Sequence, residues 1–337
     1  MGALTGTNVI PPAVQSYFDR ALLMRALPAL VHMKPAVRKS LKRRSGNTMV
    51  FRRIPALPLA TSPLAEGQPP TGNQLSKTDI TTTIQQWGAF VTVSDLVDAT
   101  VEHPLLNDAN KVLGEQAGQT IDVLMRDVQV AGSNVFYGGG VASRSLLVGT
   151  SQKIDASLLD RVIRFMRLQN AKLFTEMVDA STKESTFPIR PAYICITTPE
   201  VQFTLETLPG YVPAHQYSST ESVMDSEIGS YKELRFLVTT LGKSFAGGGG
   251  ATDSSDIKVT SGSVDVHTIL IFGQEAVAAV PLEGMSLENV IKPMGSAGTA
   301  DPLNQIGTSG WKHTGARVRL NESFMSRAEV TVGDIAP

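Results

Sequence analysis

Hydrophobic spacing changes several times along the chain. From Asn47 to Ile54 the stretch NTMVFRRI alternates, with Met49 and Phe51 on one face and Val50 and Arg52 on the other, the period of two expected of a strand. A second alternating run, Ser76 to Gln86, is rich in Thr and places Ile80 and Ile84 on one face, with Thr81, Thr83 and Gln85 on the other. Between them, Pro55, Pro58, Pro63, Pro69 and Pro70 with Gly67 and Gly72 disfavour helix and make the connection too long for a tight turn. The two runs predict a long hairpin-like ribbon with a projecting tip. Two strands alone are marginal in water, and few large apolar side chains stand on either face, so a cover from outside the ribbon is expected.

The spacing then turns helical. HPLLNDANKVLGEQAGQTIDVLMRDVQVAG sets Leu113, Ala117, Ile121, Leu124 and Val128 on one stripe, with Asp108 as N-cap and Gly132 as stop. Roughly 22 residues make a rod of about 33 Å, and Gly114 and Gly118 suggest close packing on one flank. A second amphipathic helix is predicted from Ser157 to Leu173, with Leu159, Val162, Ile163, Met166 and Leu173 inward and Ser157/Asp160 resembling a capping box. PAYICITTPEVQFTLETL reads as a strand and a short helix opened near Thr198 and Pro199. Further strands are predicted at Leu234 to Thr240, Val266 to Phe272, Ala276 to Pro281, Ala316 to Leu320 and Ala328 to Val332, and AGGGGATDSSD as a flexible loop. Residues 1–45 hold Pro11, Pro12, Pro28 and Pro35 and one helical candidate, Ser16 to Leu27, and read as an extended arm without its own core.

Composition narrows the class. A chain of 337 residues, 42% of them apolar, can bury substantial cores, and its length suggests about two lobes. Cys195 is the single cysteine, which excludes an internal disulfide framework and a Cys-based zinc site. The early apolar stretch ALLMRALPALVHM is interrupted by Arg25 and Pro28, lacks a cleavage pattern and is too short to span a bilayer, so neither signal peptide nor membrane span is expected. Charge is uneven: residues 1–53 hold ten Lys/Arg against Asp19 alone, or +9, and the remainder carries −10, matching the net −1. The cluster Arg38, Lys39, Lys42, Arg43 and Arg44 reads either as a solvated basic surface or as an arm seeking an acidic partner, nucleic acid or another copy.

No catalytic constellation emerges. LGKS at 241–244 has Leu237 where a phosphate-binding loop needs glycine, and GTSG at 307–310 lacks the spacing of a nucleophile elbow and reads as a loop. His32, His103, His215, His267 and His313 have no paired spacing, and Cys195 sits in the apolar strand YICIT as a buried thiol. Asn321-Glu322-Ser323 matches a glycosylation acceptor only formally. No catalytic residue, cofactor or metal ligand is assigned.

The order of elements carries a resemblance. A basic arm, the ribbon with ATSPLAEGQPPTGNQLS, the strand TDITTTIQQWGAFVTVSDL, the helix EQAGQTIDVLMRDVQVAG and the run IKPMGSAGTADPLNQIGTSGWKHTGARVRLNESFMSRAEV together resemble tailed-phage major capsid proteins of the Hong Kong 97 type, nearest the N-four-type coat proteins. The resemblance implies an α+β fold with an N-terminal arm (1–45), an extended β-ribbon loop (46–95), a peripheral domain with a long spine helix (96–185), an axial α/β domain (186–280) and strands returning to the peripheral domain (281–337). It implies a structural protein whose copies form hexamers and pentamers of an icosahedral or prolate shell in a virion, assembled in the host cytoplasm. Portal, scaffolding or decoration proteins and packaged double-stranded DNA would be its partners. The extended loop, with Glu66, Gly67, Pro69 and Lys77, would lie over a neighbouring subunit. Some shells of this type crosslink a loop lysine to an asparagine; Lys77 lies in the loop, but no matching asparagine or catalytic acid is identified. A cellular compartment shell of the encapsulin kind and a soluble α/β enzyme remain the alternatives.

Overall fold

The computed structural model describes residues 31–61, 63, 67, 72–95, 105–178, 186–217, 224–252, 256–296 and 301–334. Its elements begin with β1 (Ala36–Arg38), β2 (Thr48–Arg53), β3 (Thr78–Thr83), β4 (Gln85–Ser94) and helix α1 (Leu105–Val130). After β5 (Val135–Tyr137) come α2 (Ala156–Leu168), β6 (Phe174–Val178), β7 (Thr186–Thr197), α3 (Pro199–Glu206), β8 (Tyr211–Pro213), β9 (Glu227–Tyr231) and β10 (Leu234–Val238). The rest is strand: β11 (Ser244–Phe245), β12 (Val259–Thr260), β13 (Ser263–Val264), β14 (Val266–Phe272), β15 (Val277–Pro281), β16 (Leu287–Lys292), β17 (Ile306–Arg319) and β18 (Met325–Thr331).

Two sheets organise the chain. The larger runs β5-β18-β14-β7-β10-β9-β8 and mixes parallel pairs, such as β7 with β10, with antiparallel ones. Alternation along its central strands sorts side chains to opposite faces. Tyr193, Cys195, Phe236, Ile269 and Ile271 meet Leu158, Leu159, Val162 and Met166 of α2 and Val201 and Leu205 of α3. Ile194, Ile196, Leu237, Leu270 and Phe272 turn the other way, toward Met125 and Val130 of α1. A sheet covered on both faces needs continuous apolar runs, and β14 is buried at every position.

The smaller sheet is built on β17. Its first ten residues pair with β4 from Ile306↔Ser94 to Gly315↔Gln85, while β16 and β15 pair with successive segments and β1 adds to β15 in parallel. The earlier half of α1 lies on this sheet, with Leu113 and Ala117 packed on Trp311 and flanked by Trp87, Ala89 and Leu287. One helix thus spans both sheets: 26 residues reach about 39 Å.

Several expectations are corrected here. Asp108 lies inside α1 rather than capping it, and the buried stripe runs Leu113, Ala117, Ile121, Met125, leaving Leu124 and Val128 part-exposed. Helix α2 starts one residue earlier than expected, because Asp155 accepts the Leu158 N–H at 2.9 Å, and it stops at Leu168 short of Leu173. GTSG is not a loop but part of β17, directly after Ile306. Its glycines answer crowding between strands: a Cβ on Gly310 would stand 2.7 Å from the Phe90 Cβ and 2.8 Å from the Ala89 oxygen. The described part of the glycine run is likewise packed, with the Gly249 N–H donating to Val264 O and Gly250 N–H to Leu147 O.

The arm also differs. From Val31 onward the chain is fixed to the body, since Asp122 of α1 accepts from the His32 backbone N–H at 2.7 Å and from its ring Nδ1 at 2.6 Å. Gln129 donates to the His32 carbonyl at 2.8 Å, and the His32 and Asp122 side chains are fully buried. The helical candidate at Ser16 to Leu27 lies outside the described residues.

Candidate functional site

The ribbon is the first feature that reaches beyond the two sheets. β2 and β3 pair antiparallel from Thr48↔Thr83 to Arg53↔Thr78, with Met49 and Phe51 on the inner face and Val50 and Arg52 outward, as the alternation predicts. The second run is not one strand, however. At Ile84 the chain changes partner, leaving β2 and entering the ladder with β17 as β4. The expected outside cover is supplied in part by the chain itself: Met49, Phe51 and Ile84 pack on Leu41, Val280, Leu282 and Ala316. The segment after β1 makes this possible by lying along β15, where Leu41 bonds Pro281 O.

Toward the tip that cover ends. Ile54, Leu57, Leu59 and Leu75 are 58%, 47%, 88% and 71% exposed, an apolar series that the described residues leave largely uncovered. Arg52 donates to Asp79 at 2.9 Å, and this hydrogen bond holds the Asp79 carboxyl below its usual range. Lys77 stands 3.7 Å from the same carboxylate and is 62% exposed. Gly67 adopts φ 77° with open space where a side chain would stand. Glu66 and Pro69 lie outside the described residues.

The basic cluster follows β1 directly. Arg38 ends the strand, the Lys39 N–H donates to Ala279 O, and the Lys39 ammonium lies 6.0 Å from the Phe51 ring centre. Arg43 donates to Glu283 O at 2.9 Å and Gly284 O at 2.5 Å, so it braces the turn between β15 and β16. Lys42 and Arg44 are exposed, and Arg44 sits at φ 63° where the chain turns into the ribbon.

Beneath the ribbon lies a hollow of about 730 Å³, walled by β3 and the start of β4, by Leu124 and Val128 of α1, and by β17 from Ala316 to Arg319. Arg317 is its unusual member. Its guanidinium lies 4.9 Å from the Trp87 ring centre and donates from Nη2 to His313 Nε2 at 3.0 Å, while Nε and Nη1 are shielded and make no hydrogen bond. Gly315 stands between them in the strand, where a Cβ would come within 3.2 Å of His313 Nε2. His313 donates from Nδ1 to Ser286 O, so both ring nitrogens are engaged in the neutral form. Burial lowers His313 to about 4, with Arg317 adding to the effect, and burial lowers Arg317 to about 10. The nearby acids are taken: Asp127 pairs with Arg126 and Glu322 with Arg319. Sequence reading missed this group because it placed only Ala316 to Leu320 in a strand; the period-two series His313, Gly315, Arg317 was the available signal.

Among the described residues, two further groups have the elements of a reactive site but not its arrangement. Thr198 Oγ1, His267 and Glu200 stand in line at 2.9 and 2.7 Å, but the hydroxyl end is buried and the carboxylate end is part-exposed and held by Lys258. A nucleophile needs the reverse arrangement. Burial pushes the Cys195 thiol well up, away from the reactive thiolate. Among the described residues no group of three His, Cys, Asp or Glu is placed to hold a metal ion, and no helix is long and apolar enough to cross a membrane.

No protein-family profile matches the sequence, and no curated protein is similar to it at a significant level. Solved structures are similar across nearly the whole chain. The capsid of Ralstonia phage GP4 aligns with 90% of this chain and 88% of its own at a TM-score of 0.64 and 13% identity. The capsid of Helicobacter pylori bacteriophage KHP30 aligns with 90% of each chain at 0.57 and 9%, and the mature capsid of bacteriophage PhiM1 with 91% and 87% at 0.56 and 12%. Two sheets spanned by one long helix, with a ribbon thrown outward, are therefore the Hong Kong 97-type fold of tailed-phage capsid proteins.

Proposed function

We propose that this chain is a major capsid protein whose copies assemble through hexamers and pentamers into a closed icosahedral or prolate shell around double-stranded DNA. The observation that carries this reading is the similarity to phage capsids over nine tenths of the chain. The exposed Ile54, Leu57, Leu59 and Leu75 fit the same reading, because an apolar series on a projecting ribbon is stable once a neighbour covers it. The contacts would involve Glu66, Gly67, Pro69 and Lys77 near the tip. Arg38, Lys39, Lys42, Arg43 and Arg44 would face acidic surface or packaged DNA, and the role is structural rather than enzymatic. The finer kinship is with the N-four-type coat proteins; portal, scaffolding or decoration proteins complete the particle, which is built in the host cytoplasm. Electron microscopy of the purified protein tests the reading: closed shells are expected, and a stable monomer under all salt and pH conditions would overturn it.

A second reading is favoured by one specific likeness, to the holo-SrpI encapsulin complex from Synechococcus elongatus, at a TM-score of 0.50, 9% identity and 92% of this chain. Shells purified from a native source separate the two, since double-stranded DNA inside supports the capsid and a protein cargo supports the compartment.

A further inference from the structure

We infer that the hollow beneath the ribbon is a docking site for a carboxylate-bearing segment of a second copy of this chain, with Arg317 as the residue that receives the carboxylate. The inference rests on the shell-forming reading and adds to it a site and a chemistry. A volume of about 730 Å³ is too large for a lone ion or a single side chain, and Ile80, Trp87, Leu124, Val128 and Val318 give it apolar walls that suit a stretch of peptide. Charge then selects the peptide. Arg317 is a half-buried cation whose Nε and Nη1 are shielded and unbonded, so an occupant of the hollow meets its charge and not those two nitrogens, and the two acids on the same walls already hold Arg126 and Arg319. A guanidinium in such surroundings lacks the counter-charge that would offset its desolvation, and a carboxylate seated on the exposed part of Arg317 supplies it. The chain itself is a fitting source: outside residues 1–53 it carries −10. The hollow is also continuous with the ribbon, which the shell reading already places against a neighbour.

The test uses shells of the full chain. Val128→p-benzoylphenylalanine puts a photocrosslinker on the helical wall, and shells are assembled from an equal mixture of unlabelled and nitrogen-15-labelled copies. Irradiation, digestion and mass spectrometry should give mixed-isotope crosslinks concentrated on one peptide that contains Asp or Glu. Crosslinks confined to one isotope, to nucleic acid, or to a peptide without an acid would overturn the inference while leaving shells, and so the functional reading, intact. Failure of unmodified protein to form shells at all would instead overturn that reading and the inference with it. As a second arm, Arg317→Gln should lower shell yield at least tenfold with the subunit's melting temperature retained, and Arg317→Lys should restore most of the yield. Equal yields from both variants and the unmodified chain would sink the assignment of Arg317.

Discussion

Lowering the pH should weaken the subunit through one identifiable histidine. His313 is locked as a neutral ring, giving Nδ1–H to Ser286 O and taking a hydrogen bond from Arg317 at Nε2, with Trp87 stacked 6.0 Å away. Protonating Nε2 would set two cations against each other in a buried place, so the folded state holds His313 down to about 4 from an ordinary 6.5. The unfolded chain therefore takes up a proton near pH 6.5 that the folded chain refuses until about pH 4. Stability is fully present above 6.5, falls as pH drops through this window, and levels off below it. At about 1.4 kcal/mol per unit, a difference of about 2.5 units gives a loss on the order of 3 kcal/mol. The measurement is urea unfolding of unassembled subunits at closely spaced pH values from 7 to 4, for the unmodified chain and His313→Gln. The variant carries the other titrating groups, including His267, whose burial also lowers it, so the difference between the two curves isolates His313. That difference should change by roughly 3 kcal/mol across the window. Parallel curves would refute the locked-tautomer argument, whatever the offset between them.

Other outcomes follow from the same geometry. His32→Ala leaves Asp122 buried without its ring partner and should lower subunit stability by about 3 kcal/mol, read from the urea midpoint, with His32→Asn losing less. Replacing residues 56–72 by a short Gly-Ser turn should leave circular dichroism and melting of the subunit unchanged while closed particles disappear; unfolding of the subunit instead would show that the tip packs within its own chain. Neutralising Arg38, Lys39, Lys42, Arg43 and Arg44 together should reduce shell yield or DNA content in a salt-dependent way, and unchanged particles would make the cluster a solvated surface.

How far the sequence could be read depended on the range of the interactions that decide each element. The first ribbon strand, the presence of the spine helix and the strand-helix pair at Thr197 and Pro199 are set by local periodicity and stand where the pattern puts them, whereas the start of that helix, its buried stripe and the break at Ile84 depend on distant partners. The first ten residues of β17 were illegible because their glycines and small polar residues look like turns, and only the crowding of Gly310 by Phe90 and Ala89 across the ladder shows why a glycine stands there. The fate of Val31 to Leu41 was hidden for the same reason: the partners that fix it, Asp122, Ala279 and Pro281, lie between 90 and 240 residues away. Arg317 escaped notice since a lone arginine carries no signal until Trp87, Asp127 and Glu322 are placed around it.

The parallel union of β1 with β15 sets an order of events during synthesis. Residues 36–41 leave the ribosome early but have no strand to join until residues 277–282 are made, and β4 waits in the same way for residues 306–315. The inner face of the ribbon, seated on Val280 and Ala316, cannot close before then. Contacts of such separation form slowly, after local ones. A nascent or truncated chain that lacks residues 277–316 thus holds its ribbon unseated. For a chain that assembles with its own copies as proposed above, this delay would act as a proofreading step: an incomplete chain fails to present the surface by which it would be incorporated.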